Sequence, residues 1–268
     1  MSSVQTPSLR RDIGLVGWQI RYEQRAYWRN RGRAVFTFVF PLMFLVIFAA
    51  VFHGTVVPQP GGGTIPYDEF FVPGILAYAV IATTYVNMGI STAILRDEGV
   101  LKRMQGAPLP RWAYVAARIV STVLIVVAIT VVTVGIGVIA YGVTVRASTL
   151  PGAIATLILG TTAFTTLGIG IVLFISDAEA APVLVNLTIL PLTFISGIWF
   201  PHKLPTWLSD IAKVFPVRPL ANGLQYAFNQ NTTGAGFNGS DLATLAIWTV
   251  IGIYLMLRFL RQPQGEVV

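Results

Sequence analysis

The densest group of ionisable side chains in the sequence lies in the segment 96–112, which reads RDEGVLKRMQGAPLPRW. Glu98 and Lys102 are four residues apart, so on a helix they would share one face and stabilise each other. The prolines that begin at Pro108 would end such a helix, which we predict over residues 98–105. A short helix with both signs of charge is suited to docking in a groove of another protein. The predicted chemistry is ionic recognition, with a merely solvated loop as the alternative.

The residue patterns of several enzyme classes are missing from the sequence. None of the lysines follows a glycine run of the GxxxxGK[ST] type, so we expect no nucleotide to bind in the usual way. His53 and His202 have no carboxylate or histidine close by in sequence, and no cysteine occurs, so we expect no metal site. Ser196 lies in an apolar segment, but neither histidine does. An intramembrane serine protease needs a histidine base beside its serine, so we do not expect this activity. We expect a non-enzymatic chain with no cofactor of its own.

The composition predicts that the elements around these residues are dissolved in lipid. Of the 268 residues, 54% are apolar and 11% are charged, whereas soluble proteins carry about 25% charged residues. Crossing about 30 Å of hydrocarbon takes about 20 apolar residues. We therefore predict an all-α integral membrane protein with six transmembrane helices, of which the fifth is short and contains Pro191. The six predicted spans are residues 34–52, 70–95, 113–141, 150–175, 183–200 and 242–260.

The basic residues predict how these spans are oriented. Fourteen of the 18 lysines and arginines fall on one side of the predicted spans, which the positive-inside rule assigns to the cytoplasm. Both termini are then cytoplasmic, with residues 1–33 as an N-terminal segment, 34–260 as the transmembrane domain and 261–268 as a tail. The net charge of +7 is explained by this topology and by attraction to anionic lipids, so we expect no nucleic-acid partner. No signal-peptide pattern is present, and we expect the N-terminus to be retained.

Residues 9–31 predict an amphipathic interface helix that lies in the membrane surface. Arg21, Arg25 and Arg29 cluster on one side of its helical wheel, and apolar residues cluster on another. A basic topological anchor with no further role is the alternative.

Two outer segments also carry predictions. Residues 53–69 are rich in proline and glycine and predict an irregular cap. Residues 201–241 predict two short amphipathic helices between spans 5 and 6, separated by residues 216–219. We expect these helices to be extracellular and of the re-entrant type, in which case their backbone must be covered by protein.

The spans themselves lack an ionisable residue at mid-depth, where ion-coupled carriers usually keep one. Arg118 lies near the inner end of the third span, from which we expect it to snorkel to the membrane surface. A stand-alone secondary carrier or channel therefore lacks its usual machinery, and it stays as the alternative class of function.

Two motifs in different predicted compartments resemble signatures of ABC-2-type exporter permeases. The inner motif is Arg96-Asp97-Glu98-Gly99-Val100-Leu101-Lys102-Arg103, followed by Ala107-Pro108-Leu109-Pro110. The outer motif is Ile195-Ser196-Gly197-Ile198-Trp199-Phe200-Pro201, at the end of the predicted fifth span. The inner motif is most similar to that of the drug-exporter branch, the daunorubicin-resistance type of permease. Lys102 departs from the family pattern, because many relatives carry glutamate there.

The resemblance implies a membrane-spanning permease subunit in a bacterial inner membrane. It implies a partner ABC ATPase in two copies, which binds ATP and Mg, and a second permease copy, more often identical than different. The cargo would be an amphiphilic drug-like or lipid-like molecule, with a polysaccharide or lipid-linked glycan as the alternative. By the same resemblance, the residues that couple the permease to the ATPase are Arg96, Asp97, Glu98, Gly99, Leu101, Lys102, Arg103 and Pro108.

Polar and aromatic residues within the spans are candidates for a substrate path. We select Thr84, Asn87, Asn186, Phe194 and Trp199 for this role. Packing between helices is the alternative role for each of them.

Overall fold

The computed structural model describes residues 9–52, 54–58, 63–100, 103, 111–201 and 204–261. Helices dominate these residues because long apolar segments can satisfy their backbone groups in lipid only within themselves. The elements in chain order are α1 (Leu9–Arg29), α2 (Arg31–Val51), β1 (Val56–Pro58), β2 (Thr64–Pro66), α3 (Tyr67–Ile81), a π-helical turn (Ala82–Val86), α4 (Asn87–Asp97), α5 (Arg111–Tyr141), α6 (Leu150–Gly170), a 3-10 turn (Ile171–Phe174), α7 (Ala181–Ile195), α8 (Thr206–Val214), α9 (Val217–Phe228) and α10 (Gly239–Arg261).

Five helical stretches of the described residues are long and apolar enough to cross a membrane, one fewer than predicted. They are Ala34–Val51, Tyr67–Asp97, Ala113–Tyr141, Leu150–Phe174 and Gly239–Arg261. The difference lies in the predicted span 183–200. There the apolar helix α7 has 15 residues, about 22 Å at 1.5 Å per residue, and it runs through Pro191 without ending. It stops before Gly197, whose φ of +80° is a conformation that favours glycine.

The centre of the bundle is formed by α3, its π-helical continuation, α4 and α6. In the spanning windows of Tyr67–Asp97 and Leu150–Phe174, 72% and 61% of residues are buried, against 17% for Ala34–Val51 and 28% for Ala113–Tyr141. Glycines allow the central helices to approach closely, as is common in membranes. A Cβ atom added at Gly168 would lie 2.7 Å from the carbonyl oxygen of Tyr85 in the π-helical turn. The window of α10, Gly239–Arg261, is 22% buried, so α2, α5 and α10 are the spanning helices left to face lipid or a partner.

The end of the bundle at which α3 begins differs in one respect from the predicted all-α fold. Residues 53–69 are not wholly irregular, because β1 and β2 pair antiparallel, with Val57 opposite Ile65. Prolines at the ends of these strands are compatible with a two-stranded ribbon, whose outer edges need no partner. His53 lies outside the described residues, as does His202.

The segment 201–241 contains the two predicted short helices, α8 and α9. The break between them falls at Phe215 and Pro216, and Pro219 lies inside the first turn of α9. Proline is tolerated there because the first N–H groups of a helix have no intrahelical acceptor. Leu220 of α9 is fully buried, and it contacts the position of Gly160, ten residues into α6.

Candidate functional site

The segment predicted to dock begins with a sharp change of direction at the end of α4. Asp97 is the last helical residue, and Gly99 takes a φ of +66°, which closes the turn through its N–H to the carbonyl oxygen of Arg96 at 3.0 Å. A new helical turn then starts, since the N–H of Arg103 donates to the carbonyl oxygen of Gly99 at 3.1 Å. The rest of the predicted helix over 98–105 lies outside the described residues.

Arg96 connects this turn to the end of α6. Its guanidinium donates to the carbonyl oxygens of Val172 at 3.1 Å, Ile175 at 2.7 Å and Ser176 at 2.8 Å. These carbonyls lie where the helical stretch ends and few backbone N–H groups remain to reach them, and a basic side chain is a favourable cap for them. Arg96 also forms an ion pair with Asp97 at 3.0 Å. Arg96 therefore fixes the position of the segment 175–180 relative to α4.

Asp97 makes the reciprocal connection. Its Oδ2 accepts the backbone N–H of Ala178, just before α7 begins, at 2.5 Å. We call the end of the bundle that contains residues 96–103 and 176–180 the inner end. Because Arg96 caps the end of α6 and Asp97 binds the approach to α7, the two connecting segments of the inner end are held together. A force applied to one segment is transmitted to the other.

The segment 176–180 was not selected by the sequence reasoning. Asp177 organises it, since its carboxylate accepts the Ser176 hydroxyl and the backbone N–H of Ala180, both at 2.7 Å. These hydrogen bonds hold the pKa of Asp177 below its usual range. The available signal was the SDAEA sequence, a short charged turn between two predicted spans that lacks any basic residue.

The predicted coupling residues fall into three groups in the structure. Arg96 and Asp97 face the neighbouring segment of their own chain, and Gly99 shapes the turn. Glu98 and Arg103 are exposed, and Arg103 donates to the carbonyl oxygen of Glu98 at 3.1 Å. Leu101, Lys102 and Pro108 lie outside the described residues.

The predicted interface helix is present as α1, and it packs along α5. The side-chain amide of Gln24 donates to the carbonyl oxygen of Ser121 at 2.8 Å and to its hydroxyl at 2.9 Å. Tyr27 is 4% exposed and packs with Ala34 and Ile125. The arginines on the other side of the helix are exposed, namely Arg21, Arg25 and Arg29. Because α1 is fixed to α5, a contact made by its basic side is transmitted to a spanning helix.

Arg118 does not snorkel as predicted. It is 4% exposed, and it donates to the hydroxyl oxygens of Tyr114 at 2.9 Å and Ser91. The reason is that α1 covers this part of α5 and that Arg118 finds its acceptors within the bundle, on α4 and α5.

The structure separates the predicted substrate-path residues. The Thr84 hydroxyl is fully buried and donates to the carbonyl oxygen of Val80 at 2.6 Å, and the Asn186 amide donates to that of Pro182 at 2.7 Å, each within its own helical stretch. Asn87 lines a small cavity together with Arg118. These three residues therefore do not form one lining.

Phe194 and Trp199 are brought together in an aromatic cluster. Their ring centroids are 6.1 Å apart, and Trp199 also lies 5.1 Å from Phe44 of α2 and 5.0 Å from Tyr78 of α3. Trp199 is 5% exposed, whereas Phe194 is 58% exposed, so the cluster extends from the core to the surface. Such a cluster offers apolar and π contacts to a flat or amphiphilic molecule.

The described residues contain no group of three or more histidine or acidic side chains that could hold a metal ion. The fold and the inner end define a multi-pass helical membrane protein, and residues 15–229 match the ABC-2 type transporter family. The match covers most of the chain, so the protein belongs to the ABC-2 type transporter family. Members of this family are membrane permease components of ABC transporters, which generally work with an ABC ATPase. No curated protein sequence matches the chain.

Proposed function

We propose that this chain is the permease of an ATP-driven exporter and that a separate ABC ATPase docks on the segment 98–105. The observation that carries the proposal is the connection between the inner-end segments. Glu98 and Arg103 are exposed for a partner, while Arg96 and Asp97 behind them bind the segment 175–178. A partner that moves the exposed residues would therefore displace α4, α6 and α7 together.

The ATPase supplies the chemistry of ATP and Mg, and this chain supplies the passage. We propose two ATPases with two identical permeases. The three least buried spanning helices, α2, α5 and α10, support this assembly, since they leave apolar surface for lipid and for a second copy. The basic side of α1, which contains Arg21, Arg25 and Arg29, is suited to anionic headgroups or to an acidic surface of the ATPase.

The membrane topology is part of the proposal. The chain crosses a bacterial inner membrane six times with both termini and the inner end in the cytoplasm. The 15 residues of α7 make the fifth crossing with help from the turn at 196–200, because the bilayer thins locally around a short span. The outer helix α9 dips into the bilayer as a re-entrant helix, and the burial of Leu220 and Leu224 supports this.

We propose an amphiphilic cargo of the drug-exporter type. The aromatic cluster around Trp199 supports this class, because it connects the exposed Phe194 with rings on α2 and α3. Aromatic faces bind flat apolar molecules through offset stacking and burial of apolar area. A glycan would require a longer polar lining. The side chains of Thr84 and Asn186 do not supply it, because each donates its hydrogen bond to a backbone carbonyl of its own helical stretch.

The experiment combines Glu98→Ala with Leu101→Asp in the docking segment. Loss of one interface hot spot costs about 2 kcal/mol, so we expect ATPase binding to weaken about thirtyfold. The measurements are co-purification of the ATPase and ATP-dependent cargo uptake into inverted vesicles. The control is Asp210→Ala in α8, an exposed charge far from the inner end in sequence. Unchanged association and unchanged transport in the double variant would refute the proposal.

A further inference from the structure

A small cavity lies where α1 crosses the inner part of α4 and α5. Its volume is about 40 Å³, and a single water needs about 10–15 Å³ on the same measure. The polar groups around it come from three helices: Glu23 of α1, Asn87 and Ser91 of α4, and Arg118, Ser121 and Thr122 of α5. Glu23 and Asn87 are half-buried, so the cavity opens on their side.

Arg118 is an unsaturated donor in this cavity. Two of its nitrogens donate to Tyr114 and Ser91, but the buried Nε–H has no acceptor among the described residues. The ion pairs of those residues are Arg96–Asp97 and Lys213–Asp210, so Arg118 forms none of them. A buried guanidinium that is not in a contact ion pair is destabilising, and a charge-assisted hydrogen bond to an anionic oxygen would lower the penalty.

Glu23 determines which anion fits. Glu23 lines the same cavity, and among the described residues its carboxylate accepts a neutral donor, the Gln19 amide at 3.2 Å. The formal charges of Glu23 and Arg118 cancel, so a ligand with two negative charges would be repelled on one side. A ligand with one phosphate and one ammonium group complements both residues.

The position of the cavity points to a lipid headgroup. Ser91 lies six residues before the end of α4 and Arg118 seven residues after the start of α5, about 10 Å from those helix ends at 1.5 Å per residue. In the proposed topology these helix ends lie on the cytoplasmic side, so the cavity is within reach of the polar headgroup layer, which adds about 5–7 Å to each side of the hydrocarbon. The acyl chains of a bound lipid would remain outside, along the exposed face of α5.

We propose that this cavity binds the headgroup of an aminophospholipid, with its phosphate on the guanidinium of Arg118 and its primary ammonium directed at Glu23. The same headgroup chemistry could come from a lipid of the surrounding bilayer or from an amphiphilic cargo. The binding event itself does not depend on the proposed export function, because it needs neither ATP nor a partner.

The test titrates the purified full chain in detergent with dioctanoyl phosphatidylethanolamine and follows its thermal unfolding midpoint. Dioctanoyl phosphatidylglycerol lacks the ammonium, dioctanoylglycerol lacks the phosphate, and inorganic phosphate lacks the lipid. We expect the aminophospholipid to bind about tenfold or more tightly than dioctanoylglycerol, since a hydrogen bond to a charged group is at stake. Equal binding of phosphatidylethanolamine and dioctanoylglycerol would overturn the proposal. Binding of inorganic phosphate as tight as that of phosphatidylethanolamine would also overturn it.

Two variants separate the roles of the charged residues. Arg118→Gln should weaken aminophospholipid binding about tenfold, and Glu23→Gln should abolish the preference for phosphatidylethanolamine over phosphatidylglycerol. Arg258→Gln and Asp210→Asn remove exposed charges outside the cavity and serve as matched controls. Arg118→Gln can prevent folding, so the Glu23→Gln variant is decisive by itself. If Glu23→Gln still prefers phosphatidylethanolamine over phosphatidylglycerol as strongly as the control Asp210→Asn does, the proposal is overturned.

A second measurement identifies the source of the headgroup. The permease and its ATPase are reconstituted with a fluorescent phosphatidylethanolamine in the membrane. ATP-dependent movement of that lipid between leaflets would mark it as cargo, and binding without movement would mark it as a resident lipid. Either result supports the headgroup site, whereas lipid movement that persists in both Arg118→Gln and Glu23→Gln at the rate of their controls would contradict it.

Discussion

Replacement of Arg96 by glutamine should uncouple the two segments of the inner end. The substitution removes three hydrogen bonds to backbone carbonyls, at 2.7 to 3.1 Å. The side chain is 22% exposed, so water replaces part of each bond, and we take about 1 kcal/mol for each. The partly exposed ion pair with Asp97 adds between about 0 and 1 kcal/mol. The expected loss is about 3 kcal/mol, which raises the open fraction of the segment about a hundredfold.

Hydrogen exchange of the backbone amides measures this opening. We expect exchange in residues 175–180 to accelerate by up to about two orders of magnitude in Arg96→Gln, because local opening then limits protection. ATPase activity in the complex should persist while transport falls, since the exposed Glu98 is unchanged but the motion no longer reaches α6 and α7. The matched control is Arg258→Gln, an exposed arginine near the end of α10. Exchange and transport equal to those of the control would refute the reasoning.

Three further predictions concern the turn at Gly99, the segment 176–180 and the membrane topology. Gly99→Ala should lower the free energy of unfolding by about 1 kcal/mol, because φ of +66° is unfavourable for alanine; an unchanged urea midpoint would contradict this. Asp177 has a lowered pKa, so its stabilisation is complete above the ordinary carboxyl pKa of about 4 and is lost as the pH falls through its lower folded value. Asp177→Asn should therefore remove part of the acid dependence of the unfolding midpoint below about pH 4, and an identical pH profile would contradict this. The chain has no cysteine, so Glu98→Cys and Asp210→Cys can each be labelled alone; an impermeant maleimide should reach only the latter in intact cells, and the reverse pattern would contradict the topology.

Local sequence patterns were sufficient for most of the helices. The long apolar runs correspond to the five helices of spanning length, and the segment 9–31 contains α1. The fifth predicted span was extended too far, because apolar composition continues to Phe200 while the backbone turns at Gly197. Apolar composition predicts which residues can lie in lipid. It does not predict where the helix ends, because here one glycine with a positive φ ends it.

The connections between segments could not be predicted, because they depend on residues distant in sequence. Arg96 binds carbonyl oxygens that lie 76 to 80 residues further along the chain. Backbone acceptors have no sequence signature, so the motif indicated a charged surface but not its inward-facing arginine. The prediction that Arg118 snorkels failed for a related reason, since a single chain pattern does not reveal that α1 covers it.

The decisive measurement is cargo transport by the purified permease in proteoliposomes, with and without its ATPase. We expect transport only when the ATPase and hydrolysable ATP are both present, and we expect the Glu98→Ala, Leu101→Asp double variant to lose it. Sustained transport by the permease alone, without any nucleotide, would contradict the proposal that a separate ATPase drives this chain through its inner end.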